Sequence, residues 1–336
     1  MHYRRHCGAA ASPESRDTDL YARMLLTRIV DAYIYKLLEQ GRIPFAAHAC
    51  GLEAIQVGSA VCIERGTDFT LPYYRDLGVV LTIGMTPYEV FRTSLQSGQS
   101  RNSHSGYQPT LQQSLPHWGY HKHNTVTGAG PVATQILHAA GIAFASKLRQ
   151  APAVTIAYCG DGAETESDFH EGLRFAAQHR LPIVVIYERA HQQAEAARTA
   201  AGAGFPFNSL MAESIAVPDG VMHRHIDGTD ITAVYSAMRS AVQQAREGRG
   251  PSLLEMHATA LSPHLSLLDD QHPGDYANVA SQSAPDLARS NDPLLRYQHI
   301  LRTQGAWDDT WAAQLYARLV SEVEQALQDA LRDTLC

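Results

Sequence analysis

The segment GDGAETESDFHEGLRFAAQHRLPIVVIY, residues 160–187, decides the fold. It follows a short apolar run at 154–159, which contains β-branched residues and is too short for a buried helix. It ends in a second such run at 182–187, and a cap at Ser167 or Asp168 opens a helix between the two. The pattern predicts a strand, helix, strand unit with parallel strands.

Amphipathic periodicity predicts further elements on both sides of this unit. Gly41 and Gly248 stand at helix-stop positions, whereas Pro131 and Asp230 are typical of helix starts. The predicted elements are helices over 20–40, 131–148 and 231–247, and a strand over 252–256. The alternation predicts an α/β fold, with a doubly wound, mainly parallel sheet flanked by helices and with helical N- and C-terminal extensions.

Three segments follow from this pattern. We expect residues 1–18 to be a flexible N-terminus, 19–291 to form the α/β domain and 292–336 to be a helical C-terminal segment. Residues 258–291 lose periodicity and collect Pro, Asp, Ser and His, so a long loop is expected there.

Composition excludes several classes of function. The chain carries 27 Lys+Arg against 34 Asp+Glu, and a net charge of −7 argues against nucleic-acid binding. No secretion signal and no run of about 18 apolar residues is present, so we expect no membrane association. Five scattered cysteines without a CxxC pair favour the cytoplasm. The 17 histidines are spread along the chain rather than set at ligand spacing, which does not favour a histidine-held metal site.

The Gly160-Asp161-Gly162 turn is the first candidate for chemistry. Ligands of open parallel sheets bind beyond the carboxyl ends of the strands, which is where this turn falls. Its glycines allow backbone N–H groups to approach an anion, and its carboxylate can hold a divalent metal beside phosphate. Taken alone, these residues are more often just a turn that starts a helix.

The 160–187 segment resembles the thiamine-diphosphate motif of the alpha subunit of the decarboxylating component of 2-oxo acid dehydrogenase complexes. That motif opens with Gly-Asp-Gly and closes with two asparagines after the second strand. Five further stretches resemble the family in the same order: GRIPFAAHACGLEAIQVGSA from Gly41, LPYYRDLGVVLTIGMTPYE from Leu71, NTVTGAGPVATQILHAAGIAFASKLR from Asn124, IDGTDITAVYSAM from Ile226 and GRGPSLLEM from Gly248. The likeness spans roughly residues 20–330.

The resemblance implies a thiamine-diphosphate-dependent oxidoreductase that uses Mg²⁺. It implies oxidative decarboxylation of a 2-oxo acid with acyl transfer to a lipoyl group. The substrate would be a branched-chain 2-oxo acid by overall likeness, with pyruvate as the next choice. The implied partners are a beta subunit, in an alpha2beta2 heterotetramer, and a lipoyl-bearing acyltransferase.

The resemblance also assigns residue roles. Tyr74 and Arg75 match the pair that holds the diphosphate, and a guanidinium fork suits phosphate oxygens. Asp161 matches the metal-ligating acid, and Gly162 and Ala163 would give backbone contacts to the diphosphate.

Two more positions carry implied roles near the reactive part of the cofactor. His264, in SPHLSLLDD, matches the catalytic histidine of the family's active-site loop. A loop histidine that is merely solvated is the alternative interpretation. Val132 falls where the main chain meets the aminopyrimidine.

The chain departs from the family at several cofactor positions. Ala190 stands where the second asparagine would complete the metal site, and alanine cannot ligate a cation. The other departures near the cofactor are Gln192 for a tyrosine, and Ala129 and Gly130 for two serines.

The active-site loop also departs from the family. Ala260 and Ala277 replace arginines, and Leu265 replaces a serine. These changes support a second hypothesis, that the chain is a degenerate alpha-like protein with impaired cofactor binding and a structural or regulatory role. Whether Glu188 or His191 replaces the missing asparagine is left open by the sequence.

Overall fold

The computed structural model describes residues 13–99, 116, 118–120, 123–128, 130–192, 215–262, 264–267 and 291–334. In chain order the helices are α1 (Pro13–Glu39), α2 (Glu53–Ala60), α3 (Leu77–Ile83), α4 (Pro87–Gln99), α5 (Thr134–Leu148), α6 (Ser167–Gln178), α7 (Ile231–Arg246), α8 (Pro293–Thr303) and α9 (Asp309–Thr334). The strands are β1 (Phe45–Ala47), β2 (Phe69–Leu71), β3 (Thr155–Gly160), β4 (Ile183–Gln192), β5 (Met222–Asp227), β6 (Ser252–Ala260) and β7 (Leu265–Leu267).

The centre of the molecule is a parallel sheet in the order β2-β3-β4-β6-β5. Strands β3 and β4 pair in parallel from Thr155↔Ile183 to Gly160↔Glu188, with α6 as the crossover between them. This confirms the predicted strand, helix, strand unit. The residues of β3 and residues 183–188 of β4 are buried, as is typical of strands covered on both faces.

Helices cover the two faces of the sheet and form separate cores. On one face, apolar side chains of α2 and α7 pack against the sheet, as Ile55 and Met238 illustrate. On the other face, α5 and α6 do the same through residues such as Ile136 and Phe169. The doubly wound α/β fold is therefore confirmed.

A third core lies among α1, α4, α8 and α9, where both ends of the described chain pack together. Arg28 on α1 forms ion pairs with Glu53 at the start of α2 and, at 3.1 Å, with Asp292. Asp292 also caps α8 by accepting a hydrogen bond from the Leu294 N–H. The helical prediction for the C-terminal segment is confirmed.

Helix starts differ from the prediction at three places. Helix α1 begins at Pro13, seven residues before the predicted start. Helix α5 begins at Thr134 rather than at 131, because Ala133 adopts a left-handed conformation with φ of 67°. Helix α6 is preceded by Glu166 and has no side-chain cap, so the predicted cap at Ser167 or Asp168 is wrong. By contrast, Asp230 caps α7 as predicted.

The predicted long loop begins later than expected. Strand β6 continues to Ala260, so residues 258–260 belong to the sheet. Strand β7 then pairs antiparallel with β1, with Ala47 opposite Leu265. Backbone hydrogen bonds to neighbouring strands thus order a stretch that has no apolar periodicity. The remainder of the predicted loop, residues 268–290, lies outside the described residues.

Two sequence expectations concern the environment of the chain. Cys50, Cys62 and Cys159, the described cysteines, are free thiols. Within the described ranges, no helix combines the length and the apolarity needed to span a bilayer.

Candidate active site

The site lies at the carboxyl end of β3, where the Gly160-Asp161-Gly162 turn leaves the sheet. Gly160 lets the Tyr73 hydroxyl approach, because a Cβ there would lie 3.0 Å from that oxygen. Gly162 has a φ of 90°, which favours glycine, and a Cβ there would meet nothing within 4 Å. The turn therefore presents an open backbone on the rim of the sheet.

Arg75 is the central cation of the site, and its side chain is almost fully buried. Its Nε donates a hydrogen bond to the His48 carbonyl oxygen at 2.9 Å, and its Nη1 donates to Nδ1 of His264 at 3.1 Å. Nη2 is buried and has no hydrogen-bond partner among the described residues. Buried donors without partners are rare, so the guanidinium has one edge free for an anion.

The contacts of His264 fix its tautomer. A guanidinium only donates, so Nδ1 must be the acceptor from Arg75. Burial, and next the charges of Arg75 and His48, lower the pKa of His264 to about 3, so the ring is neutral at pH 7. Its proton is therefore on Nε2, which donates to the Tyr74 hydroxyl oxygen at 2.6 Å. The hydroxyl hydrogen of Tyr74 is left to be donated elsewhere.

The β1–β7 ribbon holds two of these groups in place. His48 directly follows β1, and His264 directly precedes β7. The His48 N–H lies 3.4 Å from the His264 carbonyl oxygen, and its Nε2 lies 2.9 Å from the Ser266 hydroxyl. On the other side of the ring, Nδ1 of His48 is 3.7 Å from a carboxylate oxygen of Asp31 on α1. The pairing of β7 with β1 explains why His264, which comes from a region with no apolar periodicity, has a fixed position.

Asp161 provides a carboxylate beside this cation. Although its side chain is exposed on the rim, partial loss of hydration raises its pKa to about 6, a shift opposed by the Ala190 N–H and by the charge of Arg75. The Ala190 N–H donates to Asp161 Oδ2 at 3.1 Å. Asp161 in turn raises the pKa of the Tyr74 hydroxyl, an effect secondary to burial. The carboxylate and the Tyr74–Arg75 pair thus act on one another electrostatically.

A buried polar network lies beneath Arg75. Glu188 Oε2 accepts hydrogen bonds from the Tyr73 hydroxyl at 2.8 Å and from Gln56 Nε2 at 3.3 Å. The same Gln56 amide nitrogen also donates to the Arg75 carbonyl oxygen at 3.0 Å. The network therefore holds the backbone of the Tyr-Arg pair as well as its own side chains.

Glu188 forms a proton-sharing pair with Asp76 in this network. Burial is the main cause that raises the pKa of both carboxyl groups, that of Glu188 to about 7, and each then influences the other through a shared hydrogen bond. Two buried carboxyls side by side cannot both ionise cheaply, so the pair retains a proton at neutral pH.

The structure brings three predicted site residues, Tyr74, Arg75 and His264, into direct contact. The predicted backbone contacts fall at Gly162 and in the 3-10 turn Ala163–Thr165 that follows it. Val132 lies on the turn before α5 with its side chain 44% exposed. The functional roles assigned to these residues, and the Asp161 metal role, stay predictions.

The departures from the family pattern have different surroundings. Ala190, Ala260 and Leu265 lie on β4, β6 and β7, and Ala260 is buried. Gly130 lies in the bend before α5. Ala129 and residues 276–277 lie outside the described residues, as do the side chains of 191 and 192.

Several residues of the site are missing from the sequence prediction. His48 acts through its carbonyl oxygen, which any residue type supplies, so the sequence gives no signal for it. Tyr73, Gln56 and Asp76 are buried polar residues near apolar ones, and only the tertiary structure shows that they converge on Glu188.

Comparison with known proteins adds the family. Residues 21–335 match the family model described as dehydrogenase E1 component. The chain is 33% identical to the 2-oxoisovalerate dehydrogenase subunit alpha of Bacillus subtilis, over 93% of this chain and 89% of that protein. It is 34% identical to the 3-methyl-2-oxobutanoate dehydrogenase subunit alpha of Mycobacterium tuberculosis, over 96% and 80%. It is 30% identical to the pyruvate dehydrogenase E1 component subunit alpha of Staphylococcus aureus, over 93% and 77%.

Proposed function

The chain belongs to the dehydrogenase E1 component family, and from this membership we propose that it is the alpha subunit of a branched-chain 2-oxo acid dehydrogenase. The reaction is oxidative decarboxylation of the 2-oxo acid followed by acyl transfer to a lipoyl group. Branched-chain substrates come first, because the relatives from B. subtilis and M. tuberculosis carry such names and are the more similar ones. Pyruvate is the second choice.

The observation that carries this proposal is the unpaired edge of Arg75. Two of its three nitrogens are fixed by His48 and His264, and the third is buried and has no hydrogen-bond partner in the part of the chain that the structure describes. A diphosphate supplies the acceptors that this nitrogen lacks, and its charge compensates the buried cation. The donor set therefore fits the diphosphate of thiamine diphosphate.

The residues around Arg75 have matching tasks in this proposal. Tyr74 donates its hydroxyl hydrogen to a phosphate oxygen, since His264 Nε2–H already occupies one of its lone pairs. The N–H groups of Gly162 and Ala163 face the same anion. Asp161 is the side-chain ligand of Mg²⁺, a cation that prefers carboxylate and phosphate oxygens.

When bound, the cofactor would supply the carbanionic centre and the electron sink that decarboxylation of a 2-oxo acid requires. The chain's own contribution is to bind and orient. Arg75 neutralises the diphosphate, and neutral His264 keeps its proton on Nε2 beside Tyr74. A beta subunit supplies the remaining half of the site, and the acyltransferase with its lipoyl arm receives the product, with the assembly working in the cytoplasm.

A degenerate alpha-like protein is the second candidate function. The contact between the Ala190 N–H and Asp161 Oδ2 favours it, because a backbone donor stands where the family has a metal-ligating side chain. A chain of this kind would keep the diphosphate contacts at Arg75 and lose affinity for the metal.

Calorimetric titration with thiamine diphosphate and with unphosphorylated thiamine tests the proposal. Arg75→Lys keeps the charge but not the fork, so it should weaken binding of the diphosphate at least about tenfold, since hydrogen bonds to charged groups contribute about 1.5–3 kcal/mol each. Tyr74→Phe is the second variant, which leaves the buried cation in place. Arg296→Lys, at a paired arginine that contacts Asp227 and Asp230, is the matched control and should bind like the wild type. Equal affinity of the wild type for thiamine and for its diphosphate would overturn the proposal.

A further inference from the structure

A cluster of histidines lies on the sheet outside the candidate active site. His223 and His225 lie two residues apart on β5, and Glu255 and His257 lie two residues apart on β6. Residues two apart on a strand share a face, and the parallel register sets His225 opposite Glu255. Spacing along the chain hides this cluster, because the paired residues His225 and Glu255 lie 30 positions apart.

The four side chains converge on the Glu255 carboxylate. Glu255 Oε2 lies 3.1 Å from Nε2 of His223 and 3.5 Å from Nδ1 of His225. Nε2 of His257 lies 3.4 Å from Oε1 of Glu255 and 3.3 Å from Nδ1 of His225. Ligand atoms of His223, His225 and Glu255 all lie within 4.8 Å of one another.

Three of these separations, at 3.1–3.5 Å, are those of neighbouring ligands in a tetrahedral metal centre, and the ligand atoms of His223 and His225 lie within 4.8 Å of each other. Ligands held at about 2.0–2.1 Å in a tetrahedron lie about 3.3–3.4 Å from one another, the spacing expected around Zn²⁺. Hydrogen bonding alone suits the arrangement less well. Nδ1 of His225 faces both the Glu255 carboxylate and the His257 ring. As a donor it would divide one N–H between two acceptors, and as an acceptor from His257 it would turn its lone pair toward the carboxylate, whereas a cation uses the lone pairs of the rings.

Burial and charge give the cluster a closed base and an open entrance. The Glu255 side chain is 3% exposed, and that of His225 is 62% exposed. Arg189 forms an ion pair with the other carboxylate oxygen, with its Nε 2.7 Å from Oε1, and so leaves Oε2 to the imidazoles of His223 and His225. Metal-bound carboxylates are commonly oriented by an outer partner, and an arginine ion pair can do this.

We propose that His223, His225 and Glu255, joined by His257, bind one transition-metal dication, with Zn²⁺ as the preferred ion. Imidazole nitrogen with carboxylate oxygen is a donor set that suits zinc, whereas Mg²⁺ prefers an all-oxygen shell. This centre is distinct from the Asp161 position, and it does not depend on thiamine diphosphate. Bound metal links β5, which lies at the edge of the described sheet, to β6.

Calorimetric titration of the full chain with ZnCl₂, without Mg²⁺ or cofactor, tests the proposal. We expect one equivalent of Zn²⁺ to bind, and the same preparation to show an intense visible absorption band with Co²⁺, as tetrahedral sites do. Thermal unfolding should shift upward with saturating Zn²⁺, because a ligand of the folded state stabilises it.

The variant His223→Gln/His225→Gln should lower Zn²⁺ affinity at least about tenfold and abolish the Co²⁺ band. The exposed pair His138→Gln/His299→Gln removes the same number of imidazoles from α5 and α8 and should leave both signals unchanged. His225→Gln alone, at an exposed position, is the variant to use if the double variant does not fold. Zn²⁺ binding by the cluster variant with wild-type affinity, or no stoichiometric binding by the wild type, overturns the proposal.

Discussion

Ala190 is the departure from the family pattern that bears most directly on the proposed metal site. Asp161 supplies one carboxylate there, and Ala190 supplies only a backbone N–H that bonds to it. Mg²⁺ prefers close to octahedral oxygen coordination, so one side-chain ligand is missing from the chain's contribution. We therefore expect weak Mg²⁺-dependent binding of thiamine diphosphate by the wild type.

Ala190→Asn restores the family's side chain at this position. Calorimetry should show metal-dependent cofactor binding strengthened by about tenfold or more, or about 1.4 kcal/mol. Ala190→Leu, of similar size but without an oxygen, is the matched control and should not strengthen binding. Tight binding by the wild type, with no gain from the asparagine, would show that another group completes the coordination.

The raised pKa of Glu188 predicts that the stability of the fold depends on pH. This pKa is about 7 in the folded chain and near the ordinary glutamate value of 4.5 in the unfolded chain, so the folded state holds more protons between these two pH values. Stability from this group is present below about pH 4.5 and is lost as the pH rises towards 7. Glu188→Gln keeps an acceptor for Tyr73 and removes this loss.

Urea unfolding of wild type and Glu188→Gln at pH 5 and pH 8 checks this sign. The variant should gain stability relative to the wild type on going to pH 8, by about 1–3 kcal/mol. Glu322→Gln, at an exposed position on α9, should not change the pH dependence. A steeper loss in Glu188→Gln than in the wild type would contradict the proton-sharing pair.

At the scale of elements, the contact between α5 and α6 depends on a glycine. A Cβ on Gly172 of α6 would lie 3.0–3.2 Å from Ile136 atoms, two of which are backbone atoms that cannot rotate away. Gly141 on α5 has nothing within 4 Å of such a Cβ. The two helical glycines therefore form a matched pair for the isolated chain.

Gly172→Ala should destabilise the chain by about 1–3 kcal/mol through overpacking. Gly141→Ala should be neutral or stabilising by up to about 1 kcal/mol, because alanine is the better helix former. Thermal or urea unfolding of both variants measures the difference. If Gly172→Ala proves as stable as Gly141→Ala, the close approach of α5 and α6 described above is wrong.

Element prediction succeeds where local chemistry decides the structure. Asp230 caps α7 through its own side chain, and the β-branched run of β3 has no competing interpretation as a helix. It fails where pairing decides. The second half of β4, residues 188–192, is mostly polar and does not have a composition typical of a strand. The neighbouring strand β6 supplies its backbone partners. Residues 265–267 form strand β7 for the same reason, because β1 supplies their backbone partners.

The same division applies to the candidate site. Resemblance to the family predicts Tyr74, Arg75 and His264 as site residues, and the fold brings them into contact. His48, which fixes Arg75 through a carbonyl oxygen, leaves no trace in composition or spacing. The histidine cluster on β5 and β6 is visible only after the strands are paired, since registration across the sheet creates its ligand spacing.

At the scale of the whole molecule, the proposed function gives the chain one half of a cofactor site. In this proposal Arg75 binds the diphosphate and Asp161 supplies one metal ligand. In the family the glutamate that activates the aminopyrimidine belongs to the beta subunit, and no stretch of this chain resembles that subunit. We therefore expect the chain to be active only when it is assembled with a beta subunit.

Decarboxylation of 3-methyl-2-oxobutanoate with an artificial electron acceptor tests this most directly. The purified chain should show no turnover with thiamine diphosphate and Mg²⁺, and the complex co-expressed with its beta subunit should show turnover that falls in the Arg75→Lys variant and is unchanged in Arg296→Lys. Turnover by the chain alone that approaches the complex would contradict the two-subunit account. A correctly assembled complex without cofactor-dependent turnover on this substrate or on pyruvate would contradict the proposed activity and leave the degenerate alpha-like protein as the function.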